Sequence, residues 1–279
     1  MPELPEVETI MQALAKGIGK TNIISVDVRD NRLRQKIPDE LAEKITGAAI
    51  VDYQRIAKYI VIHLNNGLSL IWHMGMSGKV KISDERPAQF DKHDHVIIET
   101  VKGWIVYNDT RRFGILTYCK TEKLRQNPLF KNSGIDPFAK ELDGEYLFMR
   151  LQKKKSPIKT ALLDQSIICG IGNIYASEIL FMSGISPLRP ADKINRKEAD
   201  VLVANTREVL KKAIAAGGSS IHDYKQPDGN LGYFQNMHCV YGKAGQSCPG
   251  CTCNLAKTGG IKKIVQTGRS TFYCESKQK

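Results

Sequence analysis

The residues with the clearest chemical potential stand at the start of the chain, where Pro2 is followed by Glu3. An α-amine titrates at about 7.7–8.0, against about 10.4 for a lysine side chain, so near neutral pH a useful fraction is uncharged. Proline is small enough that removal of Met1 is expected, which leaves Pro2 with a secondary amine. Such an amine can attack a sugar carbon and form an iminium, the covalent logic of a lysine Schiff base. The iminium acidifies the adjacent carbon, so an elimination can follow. Glu3 could protonate the opening sugar. The same residues also suit a plain helix start, with proline in the first turn and acids complementing the dipole.

Cysteines form the second candidate centre. Of seven in the chain, Cys248, Cys251, Cys253 and Cys274 fall near its end. In a reducing compartment such a cluster reads as metal ligands rather than disulfides. Two Cys-x-x-Cys pairs on a hairpin would be a strong zinc signal. Only Cys248-Pro-Gly-Cys251 is complete, because Cys274-Glu-Ser-Lys277 ends in lysine. One structural zinc on Cys248, Cys251, Cys253 and Cys274 is expected. Cys239 is a weaker substitute, and a finger held by packing alone is the alternative.

Lys and Arg number 41 against 29 Asp and Glu, a net charge of +12. That surplus favours a polyanionic partner, because each neutralised phosphate releases condensed counterions. A basic soluble protein without such a partner has the same composition. No apolar run reaches the ~18 residues of a spanning helix, and the acidic opening MPELPEVET argues against a leader. A cytoplasmic protein without membrane association is expected.

These residues need elements to position them. Val7, Ile10, Met11 and Leu14 recur at helical spacing and Gly17 stops the helix. Short β-branched runs follow at 23–28, 59–64, 68–74, 94–101, 104–109 and 114–119, with hairpin signals at Asn66-Gly67 and Lys102-Gly103. After residues 132–137 the text becomes helical, at 146–153, 158–163, 173–181 and 196–216. The stretch 217–232 reads as a loop. The expected fold class is α+β, with a β-sandwich and flanking N-terminal helix over 1–133. A helical domain over 134–235 and a β-hairpin finger over 236–279 complete it.

MPELPEVET, AKY at 57–59, HMGMSG at 73–78, KHDH at 92–95, DTRRFG at 109–114, GIGNIYASE at 170–178 and the terminal cysteines together resemble the formamidopyrimidine-DNA glycosylase family. The motifs run through nearly the whole chain in the family's order. The resemblance implies a bacterial base-excision-repair enzyme, monomeric, acting on double-stranded DNA in the cleft between two large domains. It would remove 8-oxoguanine and formamidopyrimidines and cut the abasic site by β- and δ-elimination through a Schiff base on Pro2. Glu3 would aid ring opening, and Lys58 and Arg269 would assist elimination. Met76, Arg111 and Phe113 would fill the hole left by a flipped base, a role that suits a thioether, a planar cation and an aromatic wedge. His93, Lys154 and Asn173 would meet the backbone, with GIGNIYASE forming the core of a helix-two-turns-helix unit. The loop 217–229 would cover the flipped base.

Three departures stand out: Thr110 replaces a usual proline, His222 an arginine or lysine, and Lys277 a cysteine. Taken singly, many of these residues have plainer readings, such as core packing for Met76 and Phe113 or a cap for Asn173. Rival functions are an endonuclease VIII-like enzyme acting on oxidised pyrimidines, a non-catalytic binder of damaged DNA, and a zinc-bearing RNA-binding protein.

Overall fold

The computed structural model describes residues 1–220, 232–250 and 254–279. They form two compact units, residues 1–131 with 214–235, and residues 132–213 with 236–279.

The first unit opens with α1 (Leu4–Gly17), whose Val7, Ile10 and Leu14 are buried at the helical spacing seen in the sequence. Eight strands follow: β1 (Ile23–Val28), β2 (Ile50–Ile56), β3 (Tyr59–Leu64), β4 (Leu68–His73), β5 (Gly78–Ser83), β6 (Asp94–Thr100), β7 (Gly103–Asp109) and β8 (Ile115–Lys120). A short helix α2 (Leu41–Ile45) lies between β1 and β2. The strands form two antiparallel four-stranded sheets, ordered β1-β6-β7-β5 and β2-β3-β4-β8. One core joins them: Ile98, Ile105 and Tyr107 from the first sheet pack with Ile60, Ile62 and Trp72 from the second. α1 adds Val7, Ile10 and Leu14 to the same core. This is a β-sandwich with a flanking helix, as expected.

Two strands escaped the sequence reading, β2 and β5. Both are sheet edges. Edge strands carry charge on their open side, and Asp52 and Arg55 on β2, like Lys79 and Lys81 on β5, dilute the apolar pattern.

The second unit contains α3 (Gly144–Leu151), α4 (Ile158–Leu162), α5 (Asn173–Met182) and α6 (Arg196–Ala215), whose last residues belong to the first unit. A single-turn helix α7 (Leu255–Thr258) precedes the hairpin of β9 (Lys262–Gln266) and β10 (Arg269–Tyr273). Among the described residues no helix is long and apolar enough to cross a membrane.

A buried carboxylate fixes the entry to this hairpin. Glu178 on α5 accepts the backbone N–H groups of Cys239 at 2.7 Å, Val240 at 3.0 Å and Tyr241 at 2.8 Å. Charge-assisted bonds of this kind are stronger than neutral ones. Replacing Glu178 with Gln turns one acceptor into a donor facing buried N–H groups. We predict a loss of about 1–3 kcal/mol in the stability of the second unit, read as an earlier denaturant midpoint with an unchanged first unit.

Candidate functional site

The first turn of α1 is held from two directions by one carboxylate. Pro2 is buried, and Glu3 and Glu6 are only 3% and 2% exposed. Glu6 accepts the backbone N–H of Glu3 at 2.8 Å with one oxygen and that of Ser219 at 2.8 Å with the other. The chain at 217–219 therefore abuts the N-terminal turn. Gly218 makes this approach possible, since φ is +79° and a β-carbon would lie 2.9 Å from Glu6 Cγ and Oε1. Nothing in the sequence had marked Glu6 beyond its place among the acids of a helix start. Residues 221–229 of the expected base-covering loop, His222 included, lie outside the described residues.

Lys58 sits in the two-residue turn between β2 and β3, where Ile56 pairs with Tyr59. It is 8% exposed. The neighbouring His73 is held down at about 4, chiefly by burial and then by the positive charges of Lys58 and Arg34. A neutral His73 can accept with Nδ1, and the Gly75 N–H donates to it at 3.0 Å. This ties the environment of Lys58 to the loop that carries Met76.

That loop meets the loop carrying Arg111 and Phe113. Gly75 has φ +62°, and a β-carbon there would collide with the Phe113 carbonyl. Met76 and Phe113 are 42% and 41% exposed, so neither is core. The Arg111 guanidinium stands 4.7 Å from the Phe113 ring centroid, a cation–π distance. Beneath them lies Asp109, fully buried. It accepts from Ser77 Oγ at 2.5 Å, Gly114 N–H at 2.8 Å and Tyr107 OH at 3.2 Å. Ser77 Oγ in turn accepts from Arg111 N–H at 3.0 Å. Asp109 thus organises the loop whose residues sequence reasoning selected, although it had no assigned role itself. Arg112 is set apart by its ion pair with Asp30 at 2.7 Å. Hydrogen bonds and charge from Arg32 and Arg112 hold the Asp30 carboxyl well below its usual range.

In KHDH, Asp94 accepts from Asn108 Nδ2 and the Asp91 N–H, both at 2.8 Å. His95 Nε2 lies 2.8 Å from the Asp109 carbonyl. His93 is half-buried.

In the second unit, Lys154 pairs with Asp164 at 2.8 Å, an interaction that helps hold Asp164 at about 2 against burial, which pushes it up. Asn173 is not the cap of α5, because Gly172 occupies that position. Its amide accepts from Lys159 Nζ at 2.6 Å and donates to the Ser270 carbonyl at 2.9 Å. Arg269 is exposed at the start of β10. The turn before it, Thr267-Gly268, has φ +48° and +75°, the backbone of a tight hairpin.

Among the described residues three non-glycines have positive φ: Ala57, Arg112 and Thr267. They adjoin or nearly adjoin Lys58, Arg111 with Phe113, and Arg269. Such strain persists only where surrounding structure enforces it, and it clusters at functional sites.

Residues 1–116 match the family model "Formamidopyrimidine-DNA glycosylase N-terminal domain", and residues 133–225 match the "Formamidopyrimidine-DNA glycosylase H2TH domain". The chain belongs to the formamidopyrimidine-DNA glycosylase family. It is 44% identical to the formamidopyrimidine-DNA glycosylase of Rhodospirillum rubrum over 281 residues, covering 100% of both chains. The Rhizobium etli enzyme is 42% identical over 302 residues, again with 100% of both covered. Among solved structures, Lactococcus lactis Fpg bound to abasic-site DNA matches with a TM-score of 0.89 at 33% identity, over 99% of each chain. The same protein bound to DNA with an oxidised pyrimidine gives 0.88 at 32%, over 99% of each.

The finger holds one of the three departures read in the sequence, Lys277. Cys248 and Cys274 are buried in one cluster with Phe181, Val240, Ile261 and Phe272, while Cys251 and Cys253 lie outside the described residues. Two buried thiols in one cluster fit a shared ligand set. Cys239 packs against the same cluster, and burial and the charge of Glu178 push its thiol up to about 11. Lys277 takes the position of the missing cysteine. Its ammonium lies 4.2 Å from the Phe181 ring centroid and 3.5 Å from the Pro249 carbonyl. Among the described residues no group of three or more His, Cys, Asp or Glu is placed to hold a metal.

His73 gives the site a pH signature. Its folded value of about 4 lies below the ordinary 6.5, so within that window the unfolded chain binds more protons. Stability is therefore full above about pH 6.5 and is lost as pH falls toward 4. Denaturation midpoints across this range are expected to fall. A His73→Asn variant, which keeps an acceptor for Gly75, is expected to show a shallower fall. An unchanged slope in that variant would assign the effect elsewhere.

Proposed function

We propose that this protein excises oxidised purines, 8-oxoguanine and formamidopyrimidines, from duplex DNA and then cleaves the strand, with the Pro2 amine as nucleophile. The observation that carries the reading is the buried N-terminal turn, with Pro2 and Glu3 enclosed and Glu6 anchoring it to Ser219. Chain ends ordinarily fray, and this one is held as a reactive group must be. Family membership and the Lactococcus lactis complexes with Fapy-dG and abasic DNA support the same substrate class.

The chemistry runs as follows. The neutral amine attacks C1′ of the flipped nucleotide, the N-glycosidic bond breaks, and the base leaves. Glu3 protonates the ring oxygen and the sugar opens to an iminium on Pro2. A C2′ proton leaves and the C3′–O bond breaks, with Lys58 assisting. A C4′ proton then leaves and the C5′–O bond breaks. The electron pair departs on a phosphate oxygen, where the Arg269 guanidinium neutralises it. Hydrolysis of the iminium regenerates the amine. Met76, Arg111 and Phe113 occupy the vacated stack, and His93, Lys154 and Asn173 contact the backbone. The Asn173 amide is engaged through its oxygen and its nitrogen in internal bonds, whereas Lys154 gives one bond to Asp164 and an ammonium has three N–H donors.

We further propose one structural zinc on Cys248, Cys251, Cys253 and Cys274, which would tie the finger together and take no part in the reaction. Pro2, Glu3 and Lys58 would belong to a sandwich domain over 1–133, the helix-two-turns-helix to a domain over 134–235, and Arg269 to the finger over 236–279.

Single-turnover assays on a duplex with 8-oxoguanine opposite cytosine test the mechanism. Pro2→Gly is expected to lower base release and nicking sharply. Glu3→Gln, which cannot donate the proton, is expected to lose about 10²–10⁴-fold in base release. Full activity in both variants on purine lesions would remove this reading. A DNA complex formed without any base release would favour a non-catalytic binder, and faster release from oxidised pyrimidines the endonuclease VIII-like reading. For the metal, protein isolated from zinc-replete cells is expected to hold one zinc per chain and Cys274→Ser to lose it. Metal-free protein with an unchanged melting transition contradicts the ligand set.

A further inference from the structure

Lys159 has no assigned role, yet it is among the most enclosed side chains in the protein, at 1% exposure. An ammonium taken out of water costs several kcal/mol unless hydrogen bonds replace its hydration. Its three N–H donors have three acceptors: Asn173 Oδ1 at 2.6 Å, Thr271 Oγ1 at 2.8 Å and the Ser270 carbonyl at 3.0 Å. One lysine on α4 thereby joins the first residue of α5 to the strand β10.

The acceptors are themselves locked. Asn173 Nδ2 donates to the same Ser270 carbonyl at 2.9 Å. Thr271 Oγ1 donates to Gln266 Oε1 at 2.8 Å across the hairpin. Gln266 donates onward to the Pro187 carbonyl at 3.1 Å. Arg269 pairs with Gln266 in the ladder. It lies between a turn of two positive-φ residues and a serine whose carbonyl takes two donors. Arg269 itself is exposed, so its backbone setting determines where its guanidinium can reach.

We infer that Lys159 is a positioning residue for Arg269, acting through Ser270 and Thr271, and that it selectively supports the second elimination. This rests on the reading of Arg269 as the helper of that step. An ammonium suits the task because its three donors diverge to three acceptors on two elements, α5 and β10, which a planar guanidinium cannot match. An apolar residue of equal length would leave the acceptors unmatched.

The test uses full-length protein on a duplex with one abasic site, measuring the ratio of the product of both eliminations to the product of the first alone. Lys159→Met and Thr271→Val are compared with Arg269→Ala. Both positioning variants are expected to shift the ratio toward the single-elimination product by about tenfold, within the hundredfold that misplacing a group can cost. KM for the duplex is expected to hold. Adding Lys159→Met to Arg269→Ala is expected to bring no further shift. Thr271→Val keeps the test valid if Lys159→Met does not fold. A shift in Arg269→Ala with none in the positioning variants overturns the proposal alone. An unchanged ratio in Arg269→Ala overturns the reading of Arg269 and the proposal with it. Equal slowing of both eliminations, with the ratio unchanged, marks Lys159 as a general stabiliser and also overturns it.

Discussion

Everything proposed for this protein depends on keeping a chain terminus in place. Termini have few neighbours and usually fray. The fold meets this constraint with the buried carboxylate of Glu6. One oxygen takes the N–H of Glu3, and the other takes the N–H of Ser219, more than two hundred residues along the chain. The amine's low intrinsic pKa then becomes useful, because the group that carries it has a fixed address. Glu8 ties the helix to β2 through a largely buried ion pair with Arg55 at 2.7 Å.

The same device recurs at each place where a loop must hold a working side chain. A buried polar group with several partners is costly to disturb and so defines one conformation. Asp109 gathers donors from Ser77, Tyr107 and Gly114, and the loops above it present Met76, Arg111 and Phe113 outward. Glu178 gathers three consecutive N–H groups and fixes the entry to the finger. Lys159 does the converse, as a cation among oxygens. The backbone strain at Ala57, Arg112 and Thr267 lies beside the side chains these hubs support.

Much of this was legible in the sequence, for reasons that differ by level. The central strands show as β-branched runs, while β2 and β5 hide because an edge strand needs only one apolar face. The residues proposed for the chemistry stand out because Pro2, Lys58, Arg111 and Arg269 sit in short specific strings. The residues that hold them do not. Asp109 and Lys159 look like ordinary surface charges until the fold brings acceptors and donors to them from distant segments, and no local pattern encodes that. Asn173 illustrates the limit from the other side. Its type and place at a helix start predict a cap or a phosphate contact, whereas its amide is engaged by Lys159 and Ser270.

The most direct measurement of the central claim is to trap the enzyme on abasic-site DNA with borohydride and map the adduct by peptide mass spectrometry. The account predicts a reduced sugar on the nitrogen of Pro2, found only in chains that have lost Met1. An adduct on Lys58 or another lysine, or one formed equally well by chains retaining Met1, would contradict it.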